Sequence, residues 1–168
     1  MTGEMGGGDW LARRVGEMLR ERGMTLATAE SCTGGMIAAL ITSVAGSSDY
    51  FREGIVAYAN EAKTRLLGVP AEVIQEHGAV SRETAAAMAR GLLHRSGVHM
   101  TLATTGIAGP GGGTPAKPVG TVFIAIADHG EIAVTECHFT GDRAEIRQQT
   151  TRRALELLLI RIEGGETP

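Results

Sequence analysis

A strand, a turn and a helix follow one another directly near the N-terminus, and this succession constrains the fold more than any other feature. Residues 24–29 are β-prone, residues 30–35 (Glu-Ser-Cys-Thr-Gly-Gly) are rich in hydroxyl groups and glycine, and residues 36–41 are apolar helix formers. The turn therefore lies at the carboxyl end of a strand and at the positive end of a helix dipole. Backbone N–H groups in such a position can hold an anion or a developing oxyanion.

The rest of the chain alternates between helical and extended patterns. Further helices are predicted from Asp9 to the residue before Gly23 and over residues 61–67, 70–78, 82–95 and 143–162. Three of them have predicted N-caps, which are Asn60, Ser81 and Asp142. Further strands are predicted over residues 53–59, 98–104, 119–127 and 131–139. The turn Asp128-His129-Gly130 is typical of a hairpin, whereas the earlier strands are joined through helices. We therefore predict an α/β protein, a three-layer α/β/α sandwich with a mixed, mainly parallel β-sheet.

Composition limits the number of domains and the class of partner. The 168 residues suit one domain, which we place at residues 9–163, with a disordered glycine-rich tail at 1–8 and a second tail at 164–168. The first tail does not resemble a signal peptide. A net charge of -3 and the lack of a long apolar run indicate neither a nucleic acid partner nor a membrane. Two cysteines and five scattered histidines form no metal pattern, so we expect a cytoplasmic protein without metal or cofactor.

Ser31 has two interpretations at this stage. It can cap the helix that follows, or it can be a nucleophile, since Thr33 could cap equally well. Neither Gly-x-Ser-x-Gly nor Ser-x-x-Lys is present, so two familiar serine-hydrolase motifs are missing. Cys32 is a rival nucleophile, and no histidine lies in a motif that would activate either residue.

Lys63 lies at a second junction of a strand and a helix, in Tyr58-Ala59-Asn60-Glu61-Ala62-Lys63. A helix N-terminus and burial both disfavour the charged amine, so both lower the pKa of Lys63 towards that of a general base. In a parallel sheet the two junctions share the carboxyl edge, where ligands bind. Tyr58 could donate a hydrogen bond or relay a proton there. The alternatives are a solvated surface lysine and a half-buried strand tyrosine.

A third candidate region follows the central strand. The segment Thr104-Thr105-Gly106-Ile107-Ala108-Gly109-Pro110 continues into a loop rich in glycine and proline up to residue 118. Bare glycine backbone can approach a phosphate or a sugar closely, although the loop is neither a Walker A nor a dinucleotide-binding motif. The alternative is a flexible loop. Arg143 and Arg147 share a helix face and could clamp a phosphate, or could be ordinary surface charge.

Four motifs together resemble the C-terminal domain of the CinA competence/damage-inducible protein family: residues 29–35, 105–110, 117–122 and 141–143. The resemblance covers nearly the whole chain. The family is similar to the stand-alone nicotinamide-nucleotide amidase (NMN deamidase), which converts nicotinamide mononucleotide to nicotinate mononucleotide and ammonia. The resemblance implies a serine/lysine amidohydrolase without metal, with Ser31 as nucleophile, Lys63 as base and Tyr58 beside them. Longer members carry a domain that resembles a molybdopterin-binding fold, and we expect its activity to be absent here.

The implied chemistry assigns substrate-binding residues and leaves alternatives open. Backbone N–H groups around Thr33 and Gly34 would hold the oxyanion, and the glycine loop with Arg143 would hold the ribose phosphate. The full predicted set for substrate binding is Thr33, Gly34, Gly35, Thr105, Gly106, Gly109 and Arg143. A non-catalytic nucleotide-binding or interaction module is the main alternative, and a cysteine hydrolase using Cys32 is another. The helix from Arg82 and the final helix could bury their apolar faces in the core or in a second copy, so a homo-oligomer also stays open.

Overall fold

The computed structural model describes residues 7–165. The described residues form six α-helices and five β-strands, with a short 3-10 helix, Ser47–Asp49, before the second strand. The helices are α1 (Gly7–Glu21), α2 (Met36–Thr42), α3 (Asn60–Leu67), α4 (Ala71–His77), α5 (Arg82–Ser96) and α6 (Arg143–Ile162). The strands are β1 (Leu26–Glu30), β2 (Phe51–Val56), β3 (Met100–Gly106), β4 (Thr121–Asp128) and β5 (Ile132–His138).

The five strands form one mixed sheet in the order β2-β1-β3-β4-β5. β1 pairs in parallel with both β2 and β3, whereas β4 runs antiparallel to β3 and forms the predicted hairpin with β5. Four of the five strands therefore point in the same direction. The predicted three-layer sandwich with a mixed sheet is confirmed.

The two faces of the sheet differ in the size of their side chains. Leu26, Met100 and Leu102 face α1, α2 and α6. The opposite face presents mostly alanines, and the alanine-rich helix α5 packs on it. Small residues on both sides let the helix approach the sheet closely. The apolar residues of α5 and α6 that could have formed a contact between copies are therefore part of the core.

Several predicted boundaries differ from the observed ones. α1 begins at Gly7, so Gly7 and Gly8 are helical and do not belong to a tail; residues 1–6 of that predicted tail, and 166–168 of the other, lie outside the described residues. Asn60 is the first residue of α3 and Ala59 is its N-cap, which corrects the predicted cap. Ser81 and Asp142 do cap α5 and α6, and Glu145 completes a capping box with Asp142. Within residues 7–165, no helix has the length and apolar character needed to cross a membrane.

Candidate active site

The carboxyl ends of β1, β2 and β3 meet at one edge of the sheet, as the parallel pairing requires. The chain continues the strand ladder for one residue beyond β1, since Ser31 N donates to Thr104 O (3.0 Å) and Ala57 N donates to Glu30 O (2.9 Å). Ser31 is therefore fixed between the two neighbouring chain segments. The three predicted candidate regions come together at this edge.

The side chain of Glu30, and not that of Ser31 or Thr33, accepts hydrogen bonds from the N-terminus of α2. Its buried carboxylate accepts hydrogen bonds from the N–H groups of Gly35 (3.0 Å), Ile37 (3.1 Å) and Ala38 (2.8 Å). The cap interpretation of Ser31 is wrong. The positive end of α2 already holds an anion from the chain itself, so these N–H groups are not available to a substrate.

Lys63 reaches the Ser31 hydroxyl from α3. Its Nζ lies 3.1 Å from Ser31 Oγ, 3.1 Å from Ala57 O and 3.1 Å from Tyr58 O. The side chain is 1% exposed, and this burial lowers the pKa of the amine below its ordinary 10.5. A neutral amine has two N–H bonds and one lone pair. If the amine is neutral, the two carbonyls accept its N–H bonds and the lone pair faces the Ser31 hydroxyl.

Cys32 lies beside this pair but is poorly suited to nucleophilic attack. Its side chain is buried, and the burial raises the pKa of the thiol to about 12. The thiolate, which is the reactive form of cysteine, is therefore scarce near neutral pH. The geometry favours Ser31 over Cys32 as the nucleophile.

A small cavity of about 210 Å³ opens in front of Ser31. Its wall includes Ser31, Cys32, Tyr58, Asn60, Lys63, Ala79, Val80, Thr105, Gly106, Ala108 and Arg143. A larger cavity of about 490 Å³ adjoins it and shares Ala108 and Arg143 with it. Arg143 stands between the two cavities, where its guanidinium donates to Gly109 O (2.8 Å) and to the Tyr58 hydroxyl (2.7 Å).

A family model described as the CinA C-terminal domain matches residues 9–162. The chain belongs to the CinA C-terminal domain family. A CinA-like protein from Citrifermentans bemidjiense is 59% identical to this CinA domain over 145 residues, which are 86% of this chain and 35% of that protein. A CinA-like protein from Geobacter sulfurreducens is 55% identical over 148 residues, which are 88% of this chain and 36% of that protein. The chain thus spans about a third of the length of these curated relatives.

Solved structures of the family have the same fold as this CinA domain. The competence/damage inducible protein CihA from Agrobacterium tumefaciens is 45% identical, with a TM-score of 0.91 over 97% of this chain and 99% of that chain. A CinA superfamily protein from Klebsiella pneumoniae is 36% identical, with a TM-score of 0.90 over 94% and 98% of the two chains.

The predicted substrate-binding residues of this CinA domain fall into two groups. Thr105, Gly106 and Arg143 line the small cavity, and Gly109 contacts Arg143 through its carbonyl. Thr33 bonds to Thr104 through their hydroxyls (2.9 Å), Gly34 N donates to Ser31 O (3.1 Å), and Gly35 N donates to Glu30. This second group shapes the turn, and the N–H of Gly34 is not free for the oxyanion role predicted for it.

Two residues at the site carry roles that the sequence interpretation missed. Glu30 gave no signal, because a glutamate at a strand end does not reveal that it folds back onto the next helix. Lys117 donates to His77 O (3.0 Å) and Val80 O (2.7 Å), and so holds the cavity wall formed by Ala79 and Val80. In the sequence, Lys117 belongs to the motif 117–122, which indicates the family and no role in the site.

Proposed function

We propose that this CinA domain is a nicotinamide-nucleotide amidase, which hydrolyses the carboxamide of nicotinamide mononucleotide to nicotinate mononucleotide and ammonia. The observation that carries the proposal is the 3.1 Å contact between Ser31 Oγ and the buried amine of Lys63. A nucleophile within hydrogen-bond reach of a base is the arrangement that acyl transfer needs. Family membership supports a related small-molecule substrate.

The proposed reaction passes through an acyl-enzyme. Neutral Lys63 takes the proton of the Ser31 hydroxyl as Oγ attacks the carboxamide carbon. The C–N bond then breaks, and the proton returns to the leaving nitrogen from Lys63 to give ammonia, with the Tyr58 hydroxyl as the second candidate donor. Water next attacks the Ser31 ester, Lys63 takes one of its protons, and that proton returns to Ser31 Oγ as nicotinate mononucleotide leaves.

The two cavities fit the two parts of the substrate. An engineered apolar cavity of about 150 Å³ holds benzene, so the volume of about 210 Å³ beside Ser31 suits one ring with a carboxamide. The adjoining volume of about 490 Å³ suits a ribose phosphate. Arg143, between them, is our choice for the phosphate contact. The pyridinium ring is a cation, and a neutral Lys63 next to it avoids repulsion between like charges.

Ammonia release from nicotinamide mononucleotide tests the proposal. Wild-type protein should release ammonia and nicotinate mononucleotide in equal amounts, and Ser31→Ala should abolish the reaction. Mass spectrometry of protein trapped during turnover should find the nicotinate mononucleotide acyl group on Ser31. Saturable nucleotide binding without product over hours would instead favour a non-catalytic module, and full turnover by Ser31→Ala would reject Ser31 as the nucleophile.

Two further expectations belong to this proposal. A cytoplasmic location agrees with Cys32 and Cys137, which are both free thiols. A homo-oligomer stays a prediction, and light scattering of purified protein would measure it.

A further inference from the structure

Most of the backbone N–H groups around Ser31 donate hydrogen bonds to oxygen, but two of them do not. Five of those that follow it already have acceptors. Gly34 N donates to Ser31 O, Met36 N donates to Thr33 O (3.2 Å), and the N–H groups of Gly35, Ile37 and Ala38 donate to the Glu30 carboxylate. Within residues 7–165, the N–H groups of Cys32 and Thr33 have no oxygen acceptor. These two donors next to the nucleophile act on the Cys32 sulfur instead.

The peptide units that carry these two donors are both anchored by their carbonyls. Ser31 O accepts from Gly34 N, which fixes the Ser31–Cys32 peptide. Cys32 O accepts from Arg147 Nε (3.1 Å), and Thr33 O accepts from Arg147 Nη2 (2.9 Å). In a trans peptide the N–H points away from the C=O. An arginine that holds the Cys32 carbonyl therefore sets the direction of the Thr33 N–H, and it polarises the bond as well.

The pKa of the Cys32 thiol is affected by the same two N–H groups. The N–H groups of Cys32 and Thr33 both favour negative charge on the sulfur and lower the pKa of the thiol, although burial outweighs them. Cys32 itself lines the small cavity. The two donors thus act on charge at a side chain of the cavity wall.

We propose that Arg147 is a positioning residue, which holds the Cys32–Thr33 segment so that its two N–H groups without an oxygen acceptor stabilise the oxyanion. The inference depends on the proposed function, because the oxyanion forms on the carboxamide oxygen when Ser31 attacks. It separates the two arginines of α6: Arg147 serves the transition state through the turn, and Arg143 serves the phosphate. It also replaces Gly34 with Cys32 as the partner of Thr33 in oxyanion binding.

Kinetics on two substrates separate these roles. Arg147→Met, Arg147→Lys and the control Arg152→Met are assayed with nicotinamide mononucleotide and with nicotinamide riboside, which lacks the phosphate. Removing one oxyanion donor costs about 10²–10³ in kcat, so we expect Arg147→Met to lose roughly 10–100-fold in kcat with nearly unchanged KM. The factor should be the same for both substrates. Lysine can donate to one carbonyl and should restore part of the loss.

Other outcomes would overturn the proposal. A rise in KM confined to the phosphorylated substrate would make Arg147 a phosphate clamp. Unchanged kcat would place the oxyanion donors elsewhere, such as the loop after β3. Thermal unfolding of each variant checks that a loss of kcat is not a loss of fold. If Arg147→Met does not fold, Arg147→Lys is compared with the wild type instead. Arg152 lies on the same helix in an exposed pair with Glu156, so Arg152→Met should leave both constants unchanged.

A substrate-independent readout distinguishes failure of this inference from failure of the proposed function. A fluorophosphonate reacts with an activated serine and places a phosphoryl oxygen where the oxyanion would lie. If the wild-type protein is labelled at Ser31 but does not hydrolyse nicotinamide mononucleotide, only the proposed substrate is wrong. Slower labelling of Arg147→Met would then still support the positioning role. Labelling of Arg147→Met at the wild-type rate would reject that role, and an inert wild type would reject both.

Discussion

Ser31 Oγ and Lys63 Nζ lie 3.1 Å apart, although 32 residues separate them in the sequence. Lys63 approaches from α3, and the segment between β2 and α3 supplies the carbonyls of Ala57 and Tyr58 that bind its amine. These two contacts direct the amine towards the Ser31 hydroxyl. The lowered pKa has a different cause, which is burial, since carbonyl acceptors by themselves favour the charged amine.

The first prediction concerns the titration of Lys63. Burial lowers the pKa of this amine below 10.5, and only the neutral form can accept a proton. We therefore expect kcat/KM to fall as the pH drops through the Lys63 pKa and to level off above it. Lys63→Arg should lose roughly 10²–10⁴-fold in kcat, because a guanidinium stays charged and general-base catalysis is worth about that factor.

Amine NMR provides the independent measurement. The chain has two lysines, Lys63 and Lys117, so the signals of labelled lysine amines are assigned by comparison with Lys63→Met. The directly measured pKa of Lys63 should equal the pKa of the kcat/KM profile. A profile whose pKa differs from the NMR value would assign the base to another group.

The second prediction concerns Cys32. Because burial raises the pKa of its thiol to about 12, the thiol stays protonated near neutral pH and should react slowly with iodoacetamide. Cys32→Ala should keep most of the wild-type kcat. Rapid alkylation, or loss of turnover in Cys32→Ala with Ser31→Ala active, would revive the cysteine mechanism. Cys137 is less buried and should be alkylated first, which makes it an internal comparison.

The sequence predicted the layers of the fold and the meeting of three junctions, because both follow from periodicity and parallel strands. The α6 cap was also predictable, since Asp142 and Glu145 lie three residues apart in a local motif. The end of β2 could not be predicted from the sequence. The strand stops at Val56, and the following residues supply carbonyls to Lys63, because tertiary contacts determine where the strand ends.

The details of the turn required the structure for the same reason. Glu30 is at the end of a strand, and its three acceptor contacts reach residues five to eight positions later. Arg147 contacts carbonyls more than a hundred residues away, so its spacing from Arg143 on α6 could not distinguish a turn anchor from a phosphate clamp. Non-local contacts of this kind leave no periodic signal in the sequence.

The third prediction concerns the buried cap of α2. Glu30→Gln replaces one acceptor oxygen by a donor and removes the charge that faces the helix dipole. We expect the free energy of unfolding to fall by roughly 2–4 kcal/mol, since a buried N–H is left unpaired. The matched amide substitution at the exposed cap of α6, Asp142→Asn, should lower it by about 0.5 kcal/mol or less. If urea denaturation gives the same loss of unfolding free energy for Glu30→Gln and Asp142→Asn, burial of Glu30 does not increase the contribution of the cap to stability.

The fourth prediction concerns Gly91 in α5. Alanine is favoured over glycine inside a helix by about 1 kcal/mol, so propensity alone predicts a gain from Gly91→Ala. The added Cβ would overlap the carbonyl oxygen of Leu67 at the end of α3. Overpacking costs about 1–3 kcal/mol, so we expect net destabilisation, with a lower kcat because α3 also carries Lys63.

Gly8→Ala is the matched control for this substitution. Its added Cβ would meet only the end of the Leu40 side chain, at 3.1 Å, and that side chain can rotate away. The free energy of unfolding should therefore change by about 0.5 kcal/mol or less. Stabilisation of both variants in urea denaturation would mean that helix propensity outweighs the contact between α3 and α5.

The last prediction concerns Arg143, which lines both cavities and donates hydrogen bonds to Gly109 O and the Tyr58 hydroxyl. Loss of a charged hydrogen bond to phosphate is worth about 1.5–3 kcal/mol, so Arg143→Gln should raise KM for nicotinamide mononucleotide roughly tenfold or more. Its effect on nicotinamide riboside should be small. Tyr58→Phe removes only the hydroxyl and keeps the carbonyl that binds Lys63, so it should change KM modestly. A collapse of kcat in Tyr58→Phe would instead identify that hydroxyl as the proton donor to ammonia.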